Sequence, residues 1–390
     1  MNSNERRLDL IRAIEEQRKS RVVAYVLSDR RGAQAQIAED AVRPMYDHLR
    51  AIGKVKRIDL FLHSTGGHTE VPWRIVTMIR EYASELFVLV PYKAHSAATL
   101  IALGADGIVM GPKGELGPID PTLSIQRGAG PETAVQEAIA AEDVMSYVRF
   151  LRETAGLTDQ GALAAPLAAL GQKLDPWILG QLNRVHSHIR AVARKLLALR
   201  SKGKQLDEQK IGVITETLAE KIYQHGHAIG RQEAEDLGLA VVRPGEQLER
   251  DTWELFEAYE KELKLREPLD PATIIPDGQE EYSEILTMGA IESSHLAHHF
   301  TADFRARNRR KAPPKLALNL NLNLQLPAGI DPEQIPQAAQ QSVQQLIQQS
   351  QQQLQQLVER EVQRQMPLEG VEARVQNGAW RSLAVPEVTS

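Results

Sequence analysis

The chain of 390 residues contains no cysteine. Disulfides, thiol catalysis and Cys-ligated zinc are thereby excluded, and the composition suits a reducing compartment, the cytoplasm. Strong charge of one sign is also missing. A net charge of -5 gives no global pull toward nucleic acid or an anionic membrane. No apolar run approaches the roughly 20 residues that a membrane-spanning helix requires. The first residues, MNSNERRLDLIRAIEEQRKS, carry charges throughout and have no apolar h-region, so they do not read as a signal peptide. Neither a G-x-G-x-x-G dinucleotide fingerprint nor an ATPase motif is present. Any energy-driven unfolding of a substrate must come from elsewhere.

What is present centres on Phe87 to Leu123, FVLVPYKAHSAATLIALGADGIVMGPKGELGPIDPTL. The apolar run Phe87–Val90 reads as a buried strand. A polar link leads to Ser96, and Ala97 to Leu103 reads as a short apolar helix. A second buried strand follows at Gly107 to Met110. Ser96 therefore sits where a strand hands over to a helix, beside free backbone N–H groups. Such a position favours developing negative charge, as an acyl-transfer nucleophile requires. It is equally a preferred position for a serine that does nothing but cap the helix. One strand–helix unit earlier, RIDLFLHSTGGHTE runs from Arg57 to Glu70. Its Gly66-Gly67 pair allows a turn with positive φ and a close approach of another group. Successive units of a parallel sheet bring their strand ends to one edge. The Gly-Gly and Ala97 N–H groups are then expected to face one acyl oxygen.

The succession strand–xxGG–helix, strand–xxS–helix and LGPIDP resembles the Clp-protease and crotonase superfold. Within it the chain is most similar to the serine dehydrogenase proteinase family, relatives of signal peptide peptidase A. Three pieces carry the resemblance: STGGHTEVPWRIV, VPYKAHSAATLIALGADGIVMGPKGELGPIDP and HGHAIGRQEAEDLGLAVV. It implies a serine peptidase with Ser96 as nucleophile and an oxyanion hole from the backbone of Gly67 and Ala97. It also implies a homo-oligomer, because relatives of this fold commonly form rings or stacks.

Strands and helices alternate over the first 110 or so residues, which predicts a layered α/β domain with a largely parallel sheet. Helices are expected at 5–20, 38–52, 70–82, 131–155, 158–170, 176–200 and 206–223. A short helix is expected at 229–237, followed by a closing strand through Val242. Residues 1–265 make the peptidase domain. Residues 266–312 are expected to be a Pro-rich linker and a helix from Glu280 to Asn308. Residues 313–390 form a C-terminal extension: an alternating strand LALNLNLNLQL, a Gln-rich amphipathic helix with coiled-coil character, and a tail from Leu368 without clear pattern. The last quarter lies outside the resemblance and reads as an oligomerisation or docking appendage.

A serine hydroxyl is a weak nucleophile until a base takes its proton. At the place of the His in the Clp-type pattern this chain has Asp120. At the place of the Lys in the signal-peptide-peptidase pattern it has Arg149 and Arg152, which cannot act as bases near neutral pH. The base candidates are Lys173, His186, His188 and Asp120, the last as base or orienting group. For Lys173 a solvated side chain, and for the histidines a surface or packed role, are the plainer readings. His95 adjoins Ser96, but adjacent side chains diverge. Lys93 lies on the link, where a substrate or structural role is preferred. His63 and His68 flank the Gly-Gly turn, with His68 placed to line the pocket.

His225 and His227 have metal-ligand spacing but read as structural. His295, His298 and His299 read as a solvated face rather than a metal cluster. The basic run Arg305 to Lys311 has no interleaved aromatics and reads as a flexible arm, not a nucleic-acid site. No cofactor and no metal are expected. Two functional classes follow. One is a soluble serine peptidase acting on peptide or protein substrates through an acyl-enzyme. The other is a non-peptidase use of the fold, either acyl-thioester chemistry of crotonase type or an inactive oligomeric scaffold.

Overall fold

A computed structural model describes residues 3–120, 122–127, 135–201, 203, 205–221, 226–312 and 337–383. Two compact units are present. The larger comprises Met1–Leu269, Ile285–Ala302 and Asn377–Ser390, and the smaller Asp270–Glu284 and Asp303–Gln376.

In the larger unit five strands run parallel, in the order Val241–Val242, Gly107–Met110, Ala83–Val90, Val55–His63 and Arg21–Leu27. One row of the ladder joins Val23, Leu60, Val88, Ile108 and Val241. The central strands read as unbroken apolar runs because both faces are covered, as a parallel sheet demands. On one face the helices Ser3–Arg18 and Glu246–Glu262 close over Ala24, Phe61, Leu89 and Val109 with Leu10, Ile14, Phe256 and Tyr259. The helices Val42–Ile52, Val71–Tyr82, Ala97–Leu103 and Pro176–Ala198 pack against one another in sequence. Each fully buried Leu, Val or Ile of this kind stabilises the fold by about 1.5–3 kcal/mol relative to exposure.

The expected helix from Glu280 to Asn308 is not formed. Glu281–Ser293 and Ala297–Arg310 are strands, and the first lies antiparallel to Arg21–Leu27, with Val23 opposite Ser293 and Leu27 opposite Gly289. The turn between them is closed by the Ser293 N–H, which donates to the Leu296 carbonyl at 2.9 Å. The alternation that would have signalled a strand is absent because Met288 to Ser293 are buried on both sides. The expected helix from Pro131 is also corrected. Val135–Ala140 is a strand paired antiparallel with Thr122–Arg127, and the helix begins only at Ala141. Val135 and Ile139 sit four apart, a helical spacing, yet their pairing partner was not visible locally.

In the smaller unit Gln337–Gln365 is the Gln-rich helix, and it leaves Leu346, Leu354 and Leu357 exposed. Leu368–Leu383, for which no pattern was expected, is a strand. The alternating segment Leu316–Leu326 lies outside the described residues.

Candidate active site

Ser96 is built by three local constraints. The strand Ala83–Val90 ends at Pro91, and Lys93–Ala94 then pairs with Glu115–Leu116, which in turn pairs with Ile229–Gly230. The Val55–His63 strand runs on beside the same link. Ser64 N–H donates to the Lys93 carbonyl at 2.9 Å, and His95 N–H donates to the Ser64 carbonyl at 3.0 Å. Finally the fully buried helix Ala97–Leu103 starts directly after Ser96. The serine must therefore turn between two fixed directions. It does so at φ 51° and ψ -113°, a conformation that costs a non-glycine residue about 1–3 kcal/mol.

The side chain of Ser96 does not cap the helix. As N-cap residue it makes no side-chain hydrogen bond to the helix, whereas a capping serine accepts from the second or third N–H. The residue stays half-buried.

Gly66 and Gly67 have φ 119° and 150°. A Cβ on Gly66 would stand 2.8 Å from Ser96 Cβ and 3.2 Å from Ser96 Oγ. One on Gly67 would stand 2.3 Å from the Ile37 carbonyl oxygen. Only glycine fits either position. Ile37 N–H donates to the Gly66 carbonyl and His68 N–H to the Ile37 carbonyl, both at 2.8 Å. In such a parallel bridge the N–H of the intervening Gly67 is directed away from Ile37. Ala97, as first residue of its helix, has no intrahelical acceptor for its own N–H.

Two polar side chains that sequence reasoning missed hold this arrangement. Ser64 Oγ accepts from Gly66 N–H at 3.0 Å, a local turn for which the Ser-x-Gly spacing is the sequence signal. Thr99, on the buried helix, accepts from Gly117 N–H at 3.1 Å, and its hydroxyl lies 2.7 Å from the Ala94 carbonyl oxygen. It therefore ties the LGPID turn to the serine's helix, a link with no local sequence signal.

The base candidates are scattered. Asp120 is buried on the turn that Thr99 holds, and Ile119 N–H beside it donates to the Leu218 carbonyl at 3.0 Å. Lys173 is the exposed last residue of the helix Gln160–Lys173. His188 is exposed on the helix Pro176–Ala198. His186 is buried on that helix and lines a separate cavity of about 360 Å³ with Glu142, Arg149, Arg190 and Glu220. None of the three is brought against Ser96 by a described contact. Lys93 on the link is held in an ion pair. Its Nζ lies 2.8 Å from Asp29 Oδ2. Burial alone would lower its pKa, but the bond to Asp29 raises it on balance. Burial would likewise raise the Asp29 carboxyl, yet His63 and Lys93 hold it far below the usual carboxylate range. His95 turns toward Glu115, with Nε2 3.2 Å from Oε1, and burial lowers its pKa.

The other histidines lie in different surroundings. His63 is fully buried, stacked on Tyr92, while His68 is exposed, 3.7 Å from Glu70. His227 bonds to Glu233 at 3.0 Å, and His225 lies outside the described residues. His295, His298 and His299 do not share a solvated face. His299 is buried against Glu292 at 2.9 Å, and His298 meets His48 at 3.1 Å. The folded-back strand pair, in place of a helix, separates their directions.

Two uncharacterized proteins of Methanocaldococcus jannaschii are similar to this chain. One is 27% identical over 56% of this chain and 64% of its own length, the other 33% identical over 34% and 46%. The chain thus spans less than two thirds of either relative. Among solved structures, a mutant of the 1510-N membrane-bound stomatin-specific protease in complex with a substrate peptide covers 54% of this chain and 73% of its own. Its identity is 17% and its TM-score 0.32. ClpP1 from Listeria monocytogenes covers 60% of this chain and 99% of its own, at 13% identity and a TM-score of 0.32. Likeness at this level bears on neither chemistry nor substrate. The family resemblance rests instead on the sequence that carries Ser96, Gly67, Ala97 and Asp120: over residues 1–146 the chain matches the model of the ClpP-like SDH-type serine proteinases, and it is this family that it resembles.

Proposed function

We propose that the chain is a serine peptidase that cleaves peptide bonds through an acyl-enzyme on Ser96. The observation that carries the reading is the backbone of Ser96, held at positive φ, uncapped and half-buried against Gly66. Strain of this kind persists where the surroundings impose it and clusters at reactive positions. The hydroxyl attacks the scissile carbonyl, and the N–H groups of Gly67 and Ala97 receive the negative charge on its oxygen. The amine leaves with a proton, and water then releases the acyl group. Of the base or orienting candidates, Asp120 is the one on a segment hydrogen-bonded to the serine's own helix.

The test is labelling with a fluorophosphonate, read by intact mass, on the native chain and on Ser96→Ala. One adduct that vanishes in the mutant supports the reading. No adduct on a folded protein sinks it and transfers weight to acyl-thioester chemistry or a scaffold role. The exposed Leu346, Leu354 and Leu357 of the Gln337–Gln365 helix support a homo-oligomer of coiled-coil type. Light scattering on a triple Leu→Ser variant should then show a smaller particle. The absence of cysteine supports a cytoplasmic setting. No helix among the described residues is long and apolar enough to cross a membrane.

A further inference from the structure

A cavity of about 740 Å³ opens at the carboxyl ends of the strands Ala83–Val90 and Gly107–Met110, where Pro91–Lys93 and Gly111–Lys113 leave the sheet under the helix Glu246–Glu262. Its size is that of a small-molecule site, and its place is the strand edge at which open α/β sheets bind ligands. The cavity does not include Ser96. Its floor is aromatic: the rings of Trp253 and Tyr92 lie 5.3 and 5.6 Å from that of Phe256. Above it stand charges of both signs. Lys113 Nζ is 4.6 Å from the Tyr92 ring centroid, and the Glu249 side chain lies 3.8 Å from the Cβ position of Gly111. The other charges of the lining are already matched, Lys93 with Asp29 and Arg266 with Glu260, both at 2.8 Å. Among the described residues, Lys113 and Glu249 are in no ion pair.

An apolar floor with one cation and one anion that are in no ion pair among the described residues is complementary to a compact zwitterion that carries an apolar side chain. We propose that this cavity binds a free α-amino acid with an aromatic or branched side chain. The side chain lies on Tyr92 and Trp253, which the buried Phe256 backs, the carboxylate meets Lys113, and the ammonium meets Glu249. The assignment is independent of whether Ser96 is a nucleophile, since no residue of the cavity takes part in that reading.

The experiment is isothermal titration of the full chain with L-phenylalanine, L-phenylalaninamide and N-acetyl-L-phenylalanine. L-phenylalanine is expected to bind with a dissociation constant of about 0.1–1 mM. Removing either charge from the ligand should weaken binding about fivefold. Lys113→Ala should cost L-phenylalanine a similar factor and leave the amide, which has no carboxylate, unchanged. Lys113→Arg should restore the affinity, and Trp253→Ala should abolish it. Lys113 is exposed, so its variants decide the matter even if Trp253→Ala melts early. The proposal is overturned if neither L-phenylalanine nor L-leucine gives saturable heat up to about 10 mM. It is equally overturned if Lys113→Ala binds L-phenylalanine as the native chain does.

Discussion

Gly66 lies so close to Ser96 that a single methyl group on its Cα would stand 2.8 Å from the serine's Cβ. Gly66 also sits at φ 119°, so Gly66→Ala adds backbone strain to the clash. The variant should remain folded, because the sheet row through Leu60 and Val88 is untouched. Its stability should fall by about 1–3 kcal/mol. Phosphonate labelling of Ser96 should slow by about 100-fold, since a shift of roughly 1 Å at a reacting group has that cost. Intact mass against time measures the rate. Labelling at the native rate would show that the glycine does not position the serine.

Strain at Ser96 has a signature in stability as well. Ser96→Gly removes the Cβ that makes φ 51° costly, whereas Ser96→Ala keeps it. Both should be inert to the phosphonate. Allowing for the greater chain entropy of glycine, Ser96→Gly should be more stable than Ser96→Ala by about 1 kcal/mol. Denaturant midpoints read the difference. Equal midpoints would place the cost somewhere other than the backbone of residue 96.

Thr99 links the serine's helix to the turn bearing Asp120 through its bond from Gly117 N–H at 3.1 Å. Thr99→Val keeps the volume and deletes the hydroxyl, leaving a buried N–H without its acceptor, at a cost of about 1–3 kcal/mol. If the turn carries a group that activates Ser96, labelling should fall about tenfold or more, and Thr99→Ser should recover most of it. A variant that is destabilised but labels normally would mark Thr99 as structural alone.

These residues also show what the sequence made legible. The parallel strands could be read because their burial on both faces leaves unbroken apolar runs, and the turns because Gly66-Gly67 and Ser96 stand at strand ends. Each of those signals is local. The strands Glu281–Ser293 and Ala297–Arg310 have no local strand signal, because the first gains its partner from the edge of Arg21–Leu27, far away in the chain, and the second from the first. The same limit hid Thr99 and Gly117, whose bond depends on the turn folding back over the helix. It also hid the burial of Glu292 and His299, which look like an exposed charged stretch until Arg7 arrives from the first helix. Among the base candidates, sequence spacing offered distance along the chain, and the helices that carry Lys173 and His188 expose them.

The same Arg7–Glu292 pair sets a limit on acid stability. Glu292 is 3% exposed and accepts from Arg7 Nε and Nη2, both at 2.9 Å. Tyr259 Oη donates to it at 2.8 Å, and His299 Nε2 lies 2.9 Å away. Burial would raise its pKa, but the bonds to His299 and Arg7 outweigh that and lower it from 4.5 to about 2. A carboxylate depressed in the folded state contributes stability that is complete above the unfolded value. That stability is lost as pH falls from about 4.5 to about 2, and its size is on the order of 3 kcal/mol. Glu292→Gln removes the charge that faces the buried Arg7 guanidinium, which keeps the more exposed Glu262 at 3.1 Å. At pH 7 it should cost about 3–5 kcal/mol. At pH 2 the native carboxyl is about half protonated and most of this stability is already lost, so the gap between the two proteins should largely close. Guanidinium unfolding at pH 7, 4 and 2 follows the gap. A gap that stays constant across this range would mean that the Glu292 charge contributes nothing and that only the shape of its side chain matters.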